Sequence, residues 1–249
     1  MHSRHHEILE SLQTGRPVTV NRLATRFGVT PATIRRDLDE LQAAGRLERT
    51  HGGAVLSKPG RIEFQLRRRE EVMATAKKAI AQAAADLISP GMTITLDTGT
   101  TTLEVARALS GIENLRVLTS SLAVAATLHP FDGIRLVLLG GEARRNEPDL
   151  FGELTEDNLR RFRVDVAIIG ADHVTPDGLF TNNPEVARVS QAMIRGAKRC
   201  VLVADSSKFD APSFYLFSKW DNIDTVVTDT GLKDRRWVAR KAKLVLAKP

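Results

Sequence analysis

The sequence predicts an α/β protein with a small helical module at its amino end. Three observations carry the prediction. From Ala74 onward, uniformly apolar runs alternate with helical patterns; the first 56 residues read as three short helices and a hairpin; and the surplus positive charge is confined to the front of the chain. The net charge is +6, of which residues 1–56 contribute +2, residues 57–78 contribute +4 and residues 79–249 nothing. A basic end on a neutral body points to a polyanion partner for that end alone, although basic faces are often merely solvated.

The length of 249 residues suits one large domain or two unequal ones, and 42% hydrophobic residues suffice for a substantial core. No apolar run approaches the roughly 18–20 residues that span a bilayer. The opening MHSRHHEILE has no apolar stretch behind its charges and so does not read as a secretory signal. The single Cys200, inside RCVLVAD, reads as a small buried hydrophobe rather than a reactive thiol. A cytoplasmic protein with no membrane partner is expected.

In the first module, Ile8, Leu9 and Leu12 fall at helical spacing before Gly15. VNRLATRFGV is a second helix, with Leu23, Ala24 and Phe27 on one face and Gly28 ending it. Thr30 is an N-cap and Pro31 takes the first helical position, where its missing N–H is harmless. The third helix sets Ile34, Leu38 and Leu41 on one stripe and closes at Gly45. Its other face offers Ala32, Thr33, Arg35 and Arg36 in the first turn and a half. A helix-turn-helix needs this arrangement, since the start of its second helix reaches base edges and phosphates in the major groove. Arginine suits the task because its planar fork binds guanine or phosphate bidentately. RLERTHGGAVL reads as two short strands around a Gly-Gly turn, with Arg49 and His51 near the tip, either a DNA-contacting wing or a plain hairpin.

The run VNRLATRFGVTPATIRRDLDELQAAGRLERTHGGA, with its cores TIRRDL and RTHGGA, resembles the signature of DeoR-type bacterial transcriptional regulators. The resemblance implies a winged helix-turn-helix over residues 1–56 that reads double-stranded operator DNA through Thr30, Ala32, Thr33, Arg35, Arg36, Arg49 and His51.

Residues 57–73, with Pro-Gly and many charges, read as a linker turning into a helix; its Arg67-Arg68-Arg69 run could touch phosphate or form a solvated face. Over residues 74–249, a helix near 74–88 is followed by the strands TITLD, RVLTS, IRLVLLG, VDVAIIGAD, CVLVAD and IDTVVTD, with helices between them. Strands this apolar are buried on both faces, which means a mostly parallel sheet covered by helices. Ligands of such sheets bind beyond the carboxyl ends of the strands, and polar residues collect there. Asp97-Thr98-Gly99-Thr100-Thr101-Thr102 lies at a helix N-terminus suited to phosphate, neither a Walker motif nor a dinucleotide fingerprint. Ordinary capping by Thr100 or Thr101, with Gly99 relieving the turn, is the alternative. The other strand ends present Ser120-Ser121, Gly140-Gly141, Gly170-Ala171-Asp172 and Asp205-Ser206-Ser207-Lys208. Four such ends around one crevice point to a polar, anionic ligand, though any one could be routine capping.

LDTGTTTLEVARAL, VLLGGEARR and VLVADSSKF are similar to the effector domain of DeoR-type regulators, itself related to ribose-5-phosphate isomerase. The resemblance implies a phosphorylated sugar or close glycolytic metabolite as effector, with Gly99 to Thr102 as the phosphate loop and Asp97, Asp172 and Lys208 around the sugar. It also implies repression released by the effector. An isomerase needs a base and groups that polarise the carbonyl. In that enzyme family, Asp-Gly-Ala-Asp-Glu precedes a Lys-Gly-Gly-Gly loop and an Arg-Glu pair carrying the base. Here Ile169 stands at the first aspartate, Asp172 keeps the second, and an ungapped count puts Thr181 at the lysine and Ser190 at the glutamate. Glu185 begins a helix, where it is a dipole partner more readily than a base. His173 reads as a loop residue or ligand contact, with no metal-ligand spacing around it. The expectation is a sensor without cofactor or metal, assembled as a homo-oligomer (dimer or tetramer) because helix-turn-helix proteins usually read two half-sites. The alternative is an active phosphosugar isomerase-like enzyme with a DNA-binding appendage.

Overall fold

The computed structural model describes residues 3–12, 17–57, 66, 68–145, 147–209 and 214–248. The helix stop expected at Gly15, His2, and linker residues 58–65 and Arg67 lie outside the described residues. The chain divides into two compact units, Met1–Arg69 and Glu70–Pro249.

The amino unit runs α1 (Ser3–Ser11), β1 (Val18–Thr19), α2 (Val20–Phe27), α3 (Pro31–Ala43), β2 (Leu47–Thr50) and β3 (Gly53–Leu56), with its strands ordered β1–β3–β2. Thr19 caps α2, and Gly28 ends it in the left-handed conformation at φ 62°. The Thr30 hydroxyl accepts the Thr33 amide at 3.2 Å, and Pro31 occupies the first turn, so α3 begins where the cap and proline chemistry put it. Ile8, Leu12, Leu23, Ile34, Leu38, Leu41 and Leu47 close one core from all three helices and the hairpin. The helical periodicity found Leu23 and Ala24 on α2 and Ile34, Leu38 and Leu41 on α3, but it missed Val20 at the start of α2 and gave no sign that Asp37 is buried with them. Asp37 accepts Arg4 Nε at 2.6 Å, Arg4 Nη2 at 2.9 Å and His5 Nε2 at 3.3 Å, so α1 and α3 are joined by charge as well as by packing.

That pairing has an acid signature. The Arg4 guanidinium holds the Asp37 carboxyl below its ordinary value. A carboxylate with a depressed folded pKa contributes stability that is complete above its unfolded pKa, about 3.9 for aspartate, and is lost as pH falls through the lower folded value. Asp37→Asn is therefore expected to cost about 1–3 kcal/mol at pH 7 and progressively less below about pH 4. Hydrogen-exchange protection of α1 and α3 amides across that range checks it; a pH-independent deficit would remove the charge pair as its cause.

The second unit is built on a seven-stranded, wholly parallel sheet. In chain order its elements are α4 (Ala74–Ala85), β4 (Thr93–Leu96), α5 (Thr100–Leu109), β5 (Leu115–Thr119), α6 (Leu122–Leu128), β6 (Ile134–Leu138), β7 (Glu142–Ala143), β8 (Leu150–Phe151), α7 (Glu153–Arg160), β9 (Val164–Ile169), β10 (His173–Thr175), β11 (Gly178–Thr181), α8 (Pro184–Gly196), β12 (Ala197–Val203), β13 (Tyr215–Ser218), β14 (Thr225–Asp229), α9 (Arg236–Lys241) and β15 (Lys243–Ala247). Residues 70–73, placed in the linker by the sequence, are held to this unit: Glu70 pairs with Arg107, and Lys77 Nζ donates to the Val72 carbonyl at 2.7 Å.

Alternate strand residues feed two cores. Ile94, Leu96, Val166, Ile168 and Val201 face α4, α5 and α6; Ala167, Ile169, Leu202 and Val226 face α7, α8 and α9. Burial on both faces is why the strands read as unbroken apolar runs. Cys200 is buried and unpaired, as the small-hydrophobe reading had it. The edge strand β15 and the short α9 were not expected, nor was the antiparallel sheet β10–β11–β13. A turn signal for β10 and β11 was present in Thr175-Pro176-Asp177-Gly178, where Pro and Asp favour a tight reversal.

Candidate DNA-reading surface and effector crevice

On the amino unit, Ala32, Arg35 and Arg36 are exposed on α3 and Thr33 is half-buried. Among the described residues, no carboxylate lies within ion-pair distance of Arg35 or Arg36, so both forks are open. Thr30 and Thr33 are already engaged, their hydroxyls 3.0 Å apart at the cap. Arg49 folds back onto α3, paired with Asp39 and within 3.5 Å of the Arg35 carbonyl. The sequence expects Arg49 on DNA; without DNA, its Nη1 braces the wing against the helix. The tip also differs from a Gly-Gly turn. His51 and Gly52 make the reversal, Gly52 at φ 80°, and Gly53 is the first residue of β3. His51 is exposed at that tip.

In the sensor unit, the chain moves from β4 to β5 to β6 in one direction, then returns beside β4 as β9 and continues through β12, β14 and β15 in the other. The reversal makes the carboxyl ends of β4 and β9 the topological switch point, where open parallel sheets bind ligands. Gly170 stands against the turn that follows β4: a Cβ there would lie 3.7 Å from the Thr98 carbonyl and 3.9 Å from Thr102 Cγ2.

At this point α5 begins without a side-chain cap, and Gly99 occupies the cap position at φ 127°. Helical bonding starts with the Leu103 amide on the Gly99 carbonyl, at 3.0 Å. The amides of Thr100, Thr101 and Thr102 therefore have no acceptor among the described residues, and capping by Thr100 or Thr101 does not occur. Ser121 caps α6 and Asn183 caps α8, whereas α7, like α5, starts at a glycine, Gly152, without a side-chain cap. The three threonines divide: Thr102 is buried with its hydroxyl on the Gly99 carbonyl at 2.9 Å, while Thr100 and Thr101 are half-buried.

Asp97 is buried directly before this turn. Burial pushes its carboxyl up to about 6, against the opposing hydrogen bonds from the Thr98 amide, Ser190 Oγ and the Gly170 amide, and the Asp149 charge adds to the rise. The isomerase comparison gains a physical form here. Ile169, at the first acid's position, is fully buried. Thr181 donates to Asp172 at 3.0 Å, and Ser190 donates to Asp97 at 3.0 Å. Both hydroxyls thus hold carboxylates at the ends of β4 and β9. Glu185 lies in the first turn of α8, as a dipole partner does. His173 is half-buried on β10, with Nδ1 buried and unpartnered.

The remaining candidates are spread along the carboxyl edge of the sheet. With strands about 4.8 Å apart, the ends of β6 and β12 stand ~19 Å from each other, too far for one phosphosugar. Gly140 and Gly141 pack against α7: a Cβ on Gly141 would meet Thr155 Oγ1 at 2.0 Å and the Phe151 carbonyl at 2.5 Å. Close approach accounts for Gly141, whereas a Cβ on Gly140 would meet nothing nearer than the Leu154 side chain at 3.5 Å, an ordinary contact. Ser120 is buried, its carbonyl accepting the Leu150 amide at 2.9 Å. Lys208 is half-buried after β12, two strands from β4, with no carboxylate partner among the described residues. Asp149, which no spacing singled out, is buried in the crevice and accepts Thr98 Oγ1 at 3.0 Å. A groove of about 490 Å³ at the opposite edge, lined by residues 89–92, Asp165, Lys198 and Arg199, lies where β4, β9 and β12 begin, and there Lys198 is already paired with Asp165 at 2.9 Å.

A winged helix-turn-helix joined to a covered parallel-sheet domain defines a class: DNA-binding transcriptional regulators with a separate sensor domain. The chain belongs to the DeoR family, its residues 4–59 matching the DeoR-like helix-turn-helix domain and residues 72–230 the DeoR C terminal sensor domain. It is similar to the transcriptional repressor AccR of Agrobacterium fabrum, with 36% identity over 92% of this chain and 90% of the relative. It is also similar to the glycerol-3-phosphate regulon repressor of Escherichia coli, with 35% identity over 91% and 90% of the two chains. The lactose phosphotransferase system repressor of Lactococcus lactis is 34% identical over 90% of this chain and 89% of its own. Among solved structures, ribose 5 phosphate isomerase A from Neisseria gonorrhoeae superposes with a TM-score of 0.41 at 19% identity, covering 54% of this chain and 53% of its own. The chain is a regulator of transcription. Among the described residues, no helix is long and apolar enough to cross a membrane.

Proposed function

We propose that this regulator represses genes of carbohydrate metabolism and that a phosphorylated sugar or related phosphometabolite, bound where β4 meets β9, sets its affinity for operator DNA. The uncapped N-terminus of α5 at the switch point carries the reading. Three free amides, two open hydroxyls and the helix dipole converge where a phosphate fits, beside carboxylates that accept sugar hydroxyls. Relatives named for glycerol-3-phosphate and lactose phosphotransferase regulons support a phosphorylated carbohydrate as the signal. A ligand with higher affinity for one state of the sensor unit shifts the population toward that state, and operator affinity changes by the difference. Reading two half-sites requires at least a dimer.

The test combines an operator selected from random duplex DNA with a thermal-shift panel of phosphosugars, since a specific ligand raises apparent stability by mass action. One phosphosugar is expected to raise the melting temperature saturably and to change operator affinity. Thr101→Asp, which sets a negative charge among the free amides, should abolish both responses and leave ligand-free operator binding within about twofold, a few tenths of a kcal/mol. A normal effector response in that variant would take the turn out of the site.

A further inference from the structure

We propose that Arg144 is an anion-binding residue of this crevice, aimed at the phosphate by Asp149, which acts as a positioning residue. The inference rests on the sensor reading above and extends it to a residue of a loop.

Asp149 is buried, and a buried carboxylate must be paired. It accepts Nε of Arg144 at 2.7 Å and also Nη2, a side-on fork, while its second contact is the Thr98 hydroxyl at 3.0 Å. Arg144 is therefore two hydrogen bonds from the turn that presents the α5 amides. The backbone fixes the same placement. The Arg144 amide donates to the Asp149 carbonyl at 3.0 Å, the Leu122 amide to Pro148 at 2.8 Å and the Leu150 amide to Ser120 at 2.9 Å. These bonds lay residues 148–150 across the carboxyl end of β5, next to β4.

The side-on fork leaves Nη1 of Arg144 without a partner among the described residues, on a side chain that is 24% exposed. Burial works against its charge, while Asp149 and, more weakly, Glu147 and Asp172 favour it. Electrostatics makes the same demand. Asp97, Asp149 and Asp172 would repel a phosphate, and Arg144 is the cation held directly against one of them, Asp149. The neighbouring Arg145 is exposed and has no such contacts.

The full-length protein is melted in sodium phosphate against sodium chloride of equal ionic strength, as wild type, Arg144→Lys, the double variant Arg144→Gln/Asp149→Asn, and Thr101→Asp. The double variant removes both charges, so no buried carboxylate is left unpaired. Wild type is expected to show a saturable phosphate-dependent rise and Thr101→Asp none. The half-saturating phosphate concentration should rise about tenfold or more in the double variant, and by a smaller factor in Arg144→Lys, which keeps the charge but loses the fork. Melting temperature in chloride is the control: a merely structural pair would move it and leave the phosphate midpoint alone. Unchanged midpoints in both Arg144 variants, with wild type responding and Thr101→Asp silent, overturn the role of Arg144 and leave the sensor reading standing. No phosphate response in wild type overturns both.

Discussion

Gly53→Ala is expected to abolish operator binding at concentrations that saturate wild type, and to destabilise the amino unit by about 3 kcal/mol, the upper end for overpacking. Its φ is not in the left-handed region, so the demand on this position is for space. A Cβ would lie 2.2 Å from the Val18 carbonyl oxygen, 2.9 Å from Val18 C and 3.0 Å from Thr19 Cα, all backbone atoms. Relief requires separating β1 from β3, whose register pairs Val18 with Ala54 and Thr19 with Gly53. Thr19 also caps α2, and the Val20 amide donates to the Gly52 carbonyl at 2.8 Å, so the damage passes from the wing to the start of the helix-turn-helix. Gly52 makes the opposite demand, with φ 80° and nothing within 4 Å of where a Cβ would stand. Gly52→Asn should cost about 1 kcal/mol or less, because Asn tolerates the left-handed region. Hydrogen exchange of the wing amides and gel-shift titrations separate the two variants; intact wing protection and operator affinity in Gly53→Ala would refute the packing argument.

These two glycines show what one dimension of sequence conceals. Adjacent in RTHGGA, they read as a single turn, yet one answers to dihedral angle and the other to the approach of β1, a strand more than thirty positions earlier. Elements whose signal is local were legible: the cap at Thr30, the stop at Gly28, the stripe Ile34-Leu38-Leu41, and the doubly buried strands. Elements whose meaning depends on tertiary neighbours were not. Asp37 shares a helix with two exposed arginines, and only the position of α1 makes it a buried partner. In the sensor unit, the polar strand ends were found because capping residues and ligand-binding residues are the same few types. The order β6–β5–β4–β9–β12 then separates them, giving Gly141 to packing and leaving Asp97, Gly99 to Thr102 and Asp172 around the switch point. Asp149 was missed because its partners, Thr98 and Arg144, are brought to it by a chain reversal that no periodicity records.

Arg35→Ala and Arg36→Ala are each expected to weaken operator binding by about 1–3 kcal/mol where the lost contact is a bidentate one to a base, and to lower the salt slope by about one where it is to phosphate. α3 is firmly held. Thr30 and Pro31 fix its first turn, Ile34, Leu38 and Leu41 fix its depth, and Asp37 ties it to Arg4 and His5 on α1. Successive helical residues project about 100° apart, so anchoring Ile34, Asp37 and Leu38 inward turns Arg35 and Arg36 outward together. Neither side chain has a carboxylate competing for it among the described residues, unlike Arg4 and Arg49, so neither must break an ion pair to reach DNA. Arg49→Ala should act differently: it frees the wing from Asp39 and the Arg35 carbonyl, lowering affinity for every sequence alike. Titrations of selected and scrambled duplexes at several salt concentrations resolve the three variants. If Arg35→Ala and Arg36→Ala both kept wild-type affinity, sequence preference and salt slope, the start of α3 would not be the part of this protein that reads DNA.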